Sequence, residues 1–315
     1  MRSLAISLLA FLVMVAVLPA AAQDCSLNTI TGTYVFRYTG ESFLGGLPAP
    51  PSAEPGPGTI PVHSAGLYAS GVIVGVFTIH PDASVDFKYW STIGSWSSMR
   101  TGVTASGRIL DIAPDRTEDG VVLGCAGIVE YQPFGTSLVH KDKFFVLDNG
   151  REIRSLPVET PAFPTVASLG VAHRIHRSGD TAPRCSANSS RGSNLLTCPG
   201  PLFSPTGAFQ TVGSAAVIDV RILENGIMTG ALHNRSASQV TSTPLKGYRE
   251  VNADCTGEGW FSAPQFAPGA IIRYMFVLYD EGKQGFALPL ELYYENSKTT
   301  VAYPPVSCDM TRVSE

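Results

Sequence analysis

Aromatic residues are the part of this sequence whose type and spacing best suit ligand binding. Tyr34, Phe36 and Tyr38 alternate along one short run, and Phe87 and Tyr89 do so along another. Residues two apart on a β-strand lie on the same face, so each run presents a row of rings to one side. Such rings either fill a core or line a pocket for an apolar or amphipathic molecule. We predict that these five residues bind a ligand, with core filling as the alternative.

Groups suited to catalysis or metal binding are sparse. His173 and His176 form the one H-x-x-H motif, and residues three apart on a strand face opposite sides, so we expect two surface histidines and no shared metal ion. No G-x-S-x-G turn, H-E-x-x-H motif or glycine-rich phosphate loop is present. Glu159 and Glu291 each follow a Leu-Pro dipeptide, and this repetition favours a structural role over paired catalytic carboxylates. The sequence predicts no catalytic residue, metal or cofactor and leans against an enzyme.

Two stretches of the chain are nearly the same, and a third match lies upstream of them. FVLDNGR at 145–151 matches FVLYDEGK at 276–283, and SLPVE at 155–159 matches ALPLE at 287–291. A Cys-x-Gly motif begins at Cys125 and again at Cys255. Matches at a nearly constant offset indicate a tandem repeat of a whole domain. The expected superposition places Phe145 on Phe276 and Pro157 on Pro289.

The amino terminus has the pattern of a secretory signal. One charge, Arg2, precedes a long apolar run that ends in small residues with an A-x-A site after Ala22. We predict a signal peptide at 1–22, with a membrane anchor as the alternative, and no transmembrane segment after its removal. Copy one is expected at 23–180 and copy two at 181–315, and the protein is expected to be secreted or periplasmic.

The charge balance excludes some classes of partner. Lys and Arg number 22 against 26 Asp and Glu, a formal net charge of −4, and no basic patch stands out. Nucleic acid is therefore not an expected partner. A low charged fraction of 15% suits an extracellular β-protein.

All six cysteines follow the predicted signal peptide, and an even count outside the cytoplasm favours three disulfides. Fifteen pairings are possible. A Cys-Ser dipeptide opens each copy, so if the copies share a bridge the pairs are Cys25–Cys125 and Cys185–Cys255, which leaves Cys198–Cys308. No C-x-x-C pair is present, which disfavours a zinc site.

Short alternating runs separated by turn residues predict an all-β fold with about eight strands per copy. Sheets of that size must close or cover their edges, so we predict two tandem antiparallel meander barrels, with a β-sandwich as the alternative. An eight-stranded barrel holds one small ligand or is filled by side chains. Residues 47–61 contain six prolines and predict an irregular loop, either a surface insertion or a cover over the barrel mouth.

Gly-Thr-Tyr at 32–34 resembles the G-x-W motif that opens lipocalins. Arg174 or Arg177 in copy one, and Arg312 in copy two, lie where lipocalins keep a basic residue that packs over that aromatic ring. FVLDNGRE at 145–152 also resembles small secreted bacterial proteins of uncharacterised function that look like calycin-type barrels. The resemblance implies lipocalin-like barrels.

The leading functional prediction is non-catalytic binding of an apolar or amphipathic small molecule inside copy one. Copy two lacks the opening G-x-aromatic motif and has fewer aromatic residues in the matching half, so we expect it to be packed solid. The alternatives are a structural or adhesive envelope protein with filled barrels and a barrel-pocket enzyme such as a cyclase or isomerase. The sequence does not predict an oligomeric state.

Overall fold

The structure is a computed structural model that describes residues 25–44, 67–93, 98–120, 122–133, 139–159, 167–180, 185–199, 215–236, 239–264, 269–302 and 306–314. The predicted signal peptide at 1–22, the proline-rich segment 47–61 and Trp96 lie outside these residues. None of the helices within the described ranges has the length and apolar character needed to span a bilayer.

The first half of the chain forms a closed antiparallel barrel. A short helix, α1 (Leu27–Ile30), precedes eight strands that follow one another around the barrel, and the first strand pairs with the eighth to close it. The strands are β1 (Gly32–Leu44), β2 (Leu67–Ile79), β3 (Ser84–Ile93), β4 (Ser98–Arg116), β5 (Val122–Pro133), β6 (His140–Leu147), β7 (Glu152–Glu159) and β8 (Ala167–Arg177).

The second half repeats this arrangement with one additional strand. Eight of its nine strands close into a barrel, in which β14 (Ala270–Tyr279) pairs with β15 (Gln284–Tyr294) and β9 (Gly192–Pro199) pairs with β17 (Cys308–Ser314). The remaining strand, β16 (Thr299–Ala302), pairs with the end of β15. The strands are β9 (Gly192–Pro199), β10 (Ala215–Ile222), β11 (Ile227–Ser236), β12 (Gln239–Val251), β13 (Thr256–Ser262), β14 (Ala270–Tyr279), β15 (Gln284–Tyr294), β16 (Thr299–Ala302) and β17 (Cys308–Ser314). The predicted all-β fold of two tandem barrels is confirmed.

A short helical segment closes one end of each barrel and packs against a glycine, and we call this segment the plug. Gly150 and Gly282 follow equivalent turns with φ near +80°, and a Cβ at either position would collide with a carbonyl oxygen of the plug, that of Thr29 or Ser189. Only glycine fits a backbone this close to another with this φ. The plug of the second barrel is the 3₁₀ turn Ala187–Ser190, where the first barrel has α1.

The repeat is real, but one predicted superposition is wrong. The ring of Phe144 packs over Gly127, and the ring of Phe276 packs over Gly257 in the same way. In both cases a Cβ atom on the glycine would lie within 2.8 Å of the ring. Phe276 therefore superposes on Phe144 and not on Phe145, whose ring lies under the Lys143 ammonium. A shift of one residue moves a side chain to the opposite face of its strand, which the matched letters could not reveal.

Three disulfides link the cysteines as Cys25–Cys125, Cys185–Cys255 and Cys198–Cys308. These are the pairs that the repeat suggested. The first two tie each plug to the equivalent position before or within the fifth strand of its barrel, while the third belongs to the second barrel.

An apolar cluster joins the two barrels from outside. Its members are Val35, Val72, Val74 and Trp90 of the first barrel and Met275, Val277, Phe286, Leu288 and Leu290 of the second, all buried. Arg37 bridges the same surface, 2.6 Å from Asp309 and 4.6 Å above the Phe286 ring. Because each barrel covers apolar residues of the other, we treat them as one body.

Candidate ligand-binding site

Tyr34 closes the first barrel at its plugged end. Its side chain is fully buried, and its hydroxyl lies 2.9 Å from the Ile30 carbonyl oxygen and 2.8 Å from that of Gly150. Burial raises the pKa of Tyr34 to about 12, against the opposing effect of the Arg174 guanidinium. Arg174 pairs with Tyr34 across β1 and β8 and donates to the Thr29 carbonyl at 2.7 Å. Arg174, rather than Arg177, is therefore the basic residue beside this ring.

A column of aromatic rings rises from Tyr34 along the inside of the barrel. Phe77 stacks on Tyr34 at 5.0 Å between ring centroids and lies 5.6 Å from Phe36 and 5.5 Å from Phe87. Phe87 contacts Tyr131 at 5.4 Å. These contacts place two predicted binding residues, Phe36 and Phe87, on one continuous inner surface.

The inward rings above Tyr34 are only half-buried. Phe36, Phe77, Phe87 and Tyr131 keep intermediate exposure although the strands around them close on each other. In a closed barrel an inward side chain is exposed to the interior space or at an open end of the barrel. We call this space the lumen and define its lining as Phe36, Tyr38, Phe77, Phe87, Tyr89, Val129, Tyr131 and Asp142.

Small residues make room for the rings of the lumen. A Cβ at Gly170, which pairs with Tyr38 across β1 and β8, would lie 2.7 Å from the Tyr38 ring and 2.1 Å from the Ser155 hydroxyl. A Cβ at Gly75 would likewise meet Tyr89 at 2.8 Å. The width of the lumen at this level thus depends on the lack of a side chain at both glycines.

One buried carboxyl group belongs to the lumen. Asp142 is 5% exposed and alternates on β6 with Phe144 and Val146, which both point into the core. Its Oδ1 atom has no hydrogen-bond partner. Burial raises the pKa of Asp142 to about 7, and the Tyr38 hydroxyl beside it acts in the opposite direction. A carboxyl group of this kind changes charge near neutral pH.

Tyrosine and histidine rings surround that carboxyl group. Burial, with a smaller effect of Asp142, Tyr38 and Tyr89, raises the pKa of Tyr131 well above its usual value. The His140 ring stacks on Tyr131 at 5.5 Å, and burial lowers the pKa of its imidazole. The lumen therefore combines apolar ring faces with one titratable acid.

All five predicted binding residues lie on the inner side of the first barrel, with Tyr34 as the packed floor and the other four above it. Whether they bind a ligand stays a prediction. Sequence reasoning missed Asp142, Tyr131 and His140. A signal was available, because Asp142 lies on the same alternating face as Phe144 and Val146 in HKDKFFVL.

Other residues singled out in the sequence lie away from the lumen. His173 stacks on Tyr279 of the second barrel at 4.4 Å, so it is not the free surface histidine that we expected. Its register relative to β1 places it opposite Val35, in the contact between barrels. Trp90 belongs to that contact too, and Trp260 is 40% exposed on the outside of the second barrel.

The second barrel has a different interior. Its core is a continuous cluster that includes Leu196, Val220, Leu232, Leu245 and Ile272, each buried almost completely. Tyr274 stands where the first barrel has Asp142, beyond the same β-bulge, and its hydroxyl lies 3.1 Å from the Met228 sulfur. This interior is packed, as the sequence predicted for copy two.

An open depression of about 580 Å³ lies on the outside of the second barrel, beside Arg191, Arg221 and Glu224. Arg191 and Glu224 face each other across 3.9 Å and are both largely exposed. A wide, solvated surface with paired charges offers little desolvation to a ligand. We therefore favour the lumen as the candidate site.

No family model and no curated protein matches this chain. A crystal structure of a protein of unknown function from the DUF3598 family of Nostoc punctiforme PCC 73102 is similar over 93% of this chain and 99% of that chain, with 8% identity and a TM-score of 0.24. Isotype 1 transferrin binding protein B of serogroup B Neisseria meningitidis is similar over 90% and 77%, with 9% identity and a TM-score of 0.25. Likeness at this level carries no argument about function.

Proposed function

We propose that this is an exported protein whose first barrel binds an apolar or amphipathic small molecule without transforming it. The single observation that supports this function is the half-exposure of inward aromatic rings in a closed barrel, next to a second barrel of the same topology with a packed core. Three disulfides are typical of extracellular or periplasmic proteins.

The apolar lining accounts for affinity. Burying ligand carbon contributes roughly 25 cal/mol per Å² before the costs of ordering, which suffices for micromolar binding of a drug-sized molecule to a preformed site. The packed second barrel would then serve as a rigid support, since its residues Met275 and Leu288 cover the outer face of β1 and β2.

The test uses the whole disulfide-bonded chain, because isolated barrels would expose the cluster between them. Titration with the neutral fluorescent probe N-phenyl-1-naphthylamine should show one saturable site of micromolar affinity. Tryptophan quenching is not suitable as the readout, since Trp90 faces the other barrel and Trp260 lies outside.

Val129 offers a variant that fills the lumen. It is half-buried, points inward and lies opposite Asp142. Val129→Trp should weaken probe binding at least tenfold, whereas Val158→Trp, the same change at a position 47% exposed, should leave it unchanged. Ser155→Phe gives a second filling variant if Val129→Trp melts early. Equal probe binding by a folded filling variant, or no saturable binding by the native chain, would refute the proposal.

A barrel-pocket enzyme such as an isomerase is the second candidate, and the convergence of Asp142, Tyr38 and Tyr131 favours it. A carboxyl group with a pKa near 7 is suited to general acid or base catalysis. Small molecules that copurify with the chain should be identified by mass spectrometry and incubated with native protein and with Asp142→Asn. Conversion by the native protein alone would support the enzyme, and unchanged recovery from both would support the binding protein.

A further inference from the structure

We infer that the ligand of the first barrel is an amphipathic molecule with a basic amine, and that its ammonium group pairs with Asp142. The inference rests on the proposed function, and it adds the chemical class of the ligand. It follows from a buried acid without a cation, set among aromatic ring faces.

Asp142 has the Tyr38 hydroxyl beside it but no cation to balance its charge. Asp142 is almost fully buried and its Oδ1 accepts no hydrogen bond. Across β7 it faces Pro157, which has no backbone N–H to donate, and across β5 it faces Val129. Among the described residues no Lys or Arg forms an ion pair with it. A buried, unpaired acceptor is costly, and a bound ligand is one way to satisfy it.

The neighbouring lysine on β6 does not supply the charge. Lys143 points out of the barrel, where its ammonium lies 3.7 Å from Asp115 and 5.0 Å from the Phe145 ring centroid. Alternation along the strand places Lys143 on the opposite face from Asp142. Lys143 is therefore engaged outside the barrel, and a cation inside the lumen would balance the buried acid.

Two phenols interact with Asp142, that of Tyr38 on β1 and that of Tyr131 on β5. Tyr131 interacts in turn with Tyr89 on β3 and with the imidazole of His140 on β6. Burial lowers the pKa of His140, so this ring is neutral at pH 7 and above. An ionised Asp142 thus makes the lumen electronegative, which repels a fatty-acid carboxylate and attracts a cation.

The aromatic lining of the lumen suits an ammonium group. The negative face of an aromatic ring attracts an ammonium group, and the attraction grows when both are removed from water. Phe36, Phe77, Phe87 and Tyr131 form one connected wall that leads to the acid. An amine with an apolar body would bury its carbon against this wall and place its charge on Asp142.

A pH dependence follows from the same arrangement. Burial holds the pKa of Asp142 at about 7 in the free protein, so the acid is mostly protonated at pH 5.5 and mostly ionised at pH 8. A bound ammonium group stabilises only the ionised form. Amine binding should therefore strengthen as the pH rises from 5.5 to 8, while the binding of a neutral molecule should not.

The test compares three molecules with one ring system: 1-naphthylmethylamine, 1-naphthalenemethanol and 1-naphthoic acid. Each displaces N-phenyl-1-naphthylamine from the whole chain at pH 8. The amine should bind at least tenfold more tightly than the alcohol, and the acid should bind most weakly. Asp142→Asn should bring the affinity of the amine to the level of the affinity of the alcohol measured with the same variant.

Asp115→Asn is the matched control, because it removes an acid from the outside of the same barrel and should keep the amine preference. The pH profile of the native chain is a second measurement that needs no variant, and the amine preference should fall at least fivefold from pH 8 to pH 5.5.

The outcomes separate the two proposals. Three results would show that the inference is wrong while the neutral probe still binds and the proposed function stands. The amine binds no more tightly than the alcohol, or the preference for the amine persists in Asp142→Asn, or that preference does not change with pH. If neither the probe nor any of the three molecules binds, the proposed function fails and the inference fails with it.

Discussion

The two barrels carry the same plug, the same bulge before the acid position and the same turn after the sixth strand, yet different side chains occupy equivalent interior positions. Phe36 and Leu196 follow the opening glycine of their barrels by four residues, and only Leu196 is fully buried. Asp142 in the first barrel corresponds to Tyr274 in the second. The backbone thus determines the barrel, and the side chains determine whether its interior is open or filled.

The charges inside the barrels differ in sign as well. The second barrel buries Arg249, which donates to the Ser190 carbonyl of the plug at 2.8 Å and lies 4.9 Å from the Phe276 ring. Burial lowers the pKa of Arg249 to about 10, so it stays charged at neutral pH. The two terminal nitrogens of Arg249 have partners in the plug and the core, although its Nε atom has none, as is also true of the Asp142 Oδ1 atom. The packed barrel thus buries a cation held by its own plug, and the first barrel buries an acid that forms no ion pair among the described residues.

The largest expected effect concerns the stability cost of the acid. The pKa of Asp142 is about 7 in the folded protein against 3.8 for an ordinary aspartate. Below about pH 4 the group is protonated in both the folded and the unfolded chain, and the folded protein bears no cost. As the pH rises to 7 only the unfolded chain loses this proton, so the free energy of unfolding falls. At about 1.36 kcal/mol per pKa unit, Asp142→Asn should gain up to roughly 4 kcal/mol relative to the native chain between pH 4 and pH 8. Urea unfolding along this range measures it. Tyr274→Phe at the equivalent position is the control, and its difference from the native chain should not vary with pH.

Because one interior is packed and the other is open, we expect truncation of the smaller Leu196 to destabilise the protein more than truncation of the larger Phe36. Leu196→Ala should lower the free energy of unfolding by about 3 kcal/mol, because it leaves a sealed cavity. Phe36→Ala should cost only about 1 kcal/mol although it removes more atoms, because the ring already borders the lumen. Both are measured by urea unfolding with the disulfides intact. A greater loss for Phe36→Ala would mean that the first barrel is packed as tightly as the second.

The disulfide of the second barrel should be transferable to the first. Cys198 and Cys308 occupy the positions that Tyr38 and Gly170 have in the first barrel. A side chain at position 170 would collide with the Ser155 hydroxyl, and the second barrel has the smaller Ala287 at the position of Ser155. The triple variant Tyr38→Cys, Gly170→Cys, Ser155→Ala should form a fourth bridge and gain about 2 kcal/mol. Mass measurement after thiol alkylation counts the bridges. Two free thiols in the folded variant would show that the equivalent strand pairs differ in geometry.

The smallest effect concerns the ion pairs between the barrels. Lys88 and Asp254 lie 3.0 Å apart but are 42% and 44% exposed, so solvent screens their attraction. Asp254→Asn should change the free energy of unfolding by less than about 1 kcal/mol. Met275→Ala, in the apolar cluster of the same contact, should cost about 2–5 kcal/mol and serves as the reference. A loss above about 2 kcal/mol from Asp254→Asn would show that charges hold the barrels together.

Local patterns in the sequence predicted the strands and the repeat, and the repeat suggested one of the fifteen possible pairings of the cysteines. Alternation along β1 and β3 reports which residues share a face, since side chains repeat every two residues in any strand. The repeated turns and the Cys-Ser openings depend on backbone conformation and spacing, which both copies keep. The first strand of copy two begins at Gly192, which has a positive φ like Gly32. The sequence did not reveal this equivalence, because Asn194 stands where copy one has the aromatic Tyr34.

Only the tertiary structure decided which face of each strand is inside. β2 is apolar on both faces, because Phe77 and Ile79 point into the first barrel while Val72 and Val74 contact the second. A two-residue period cannot distinguish these faces, and both surfaces remove apolar area from water. The burial of Asp142 likewise depends on closure of eight strands around it. The sequence shows an ordinary aspartate between two lysines, and the barrel makes it a buried acid.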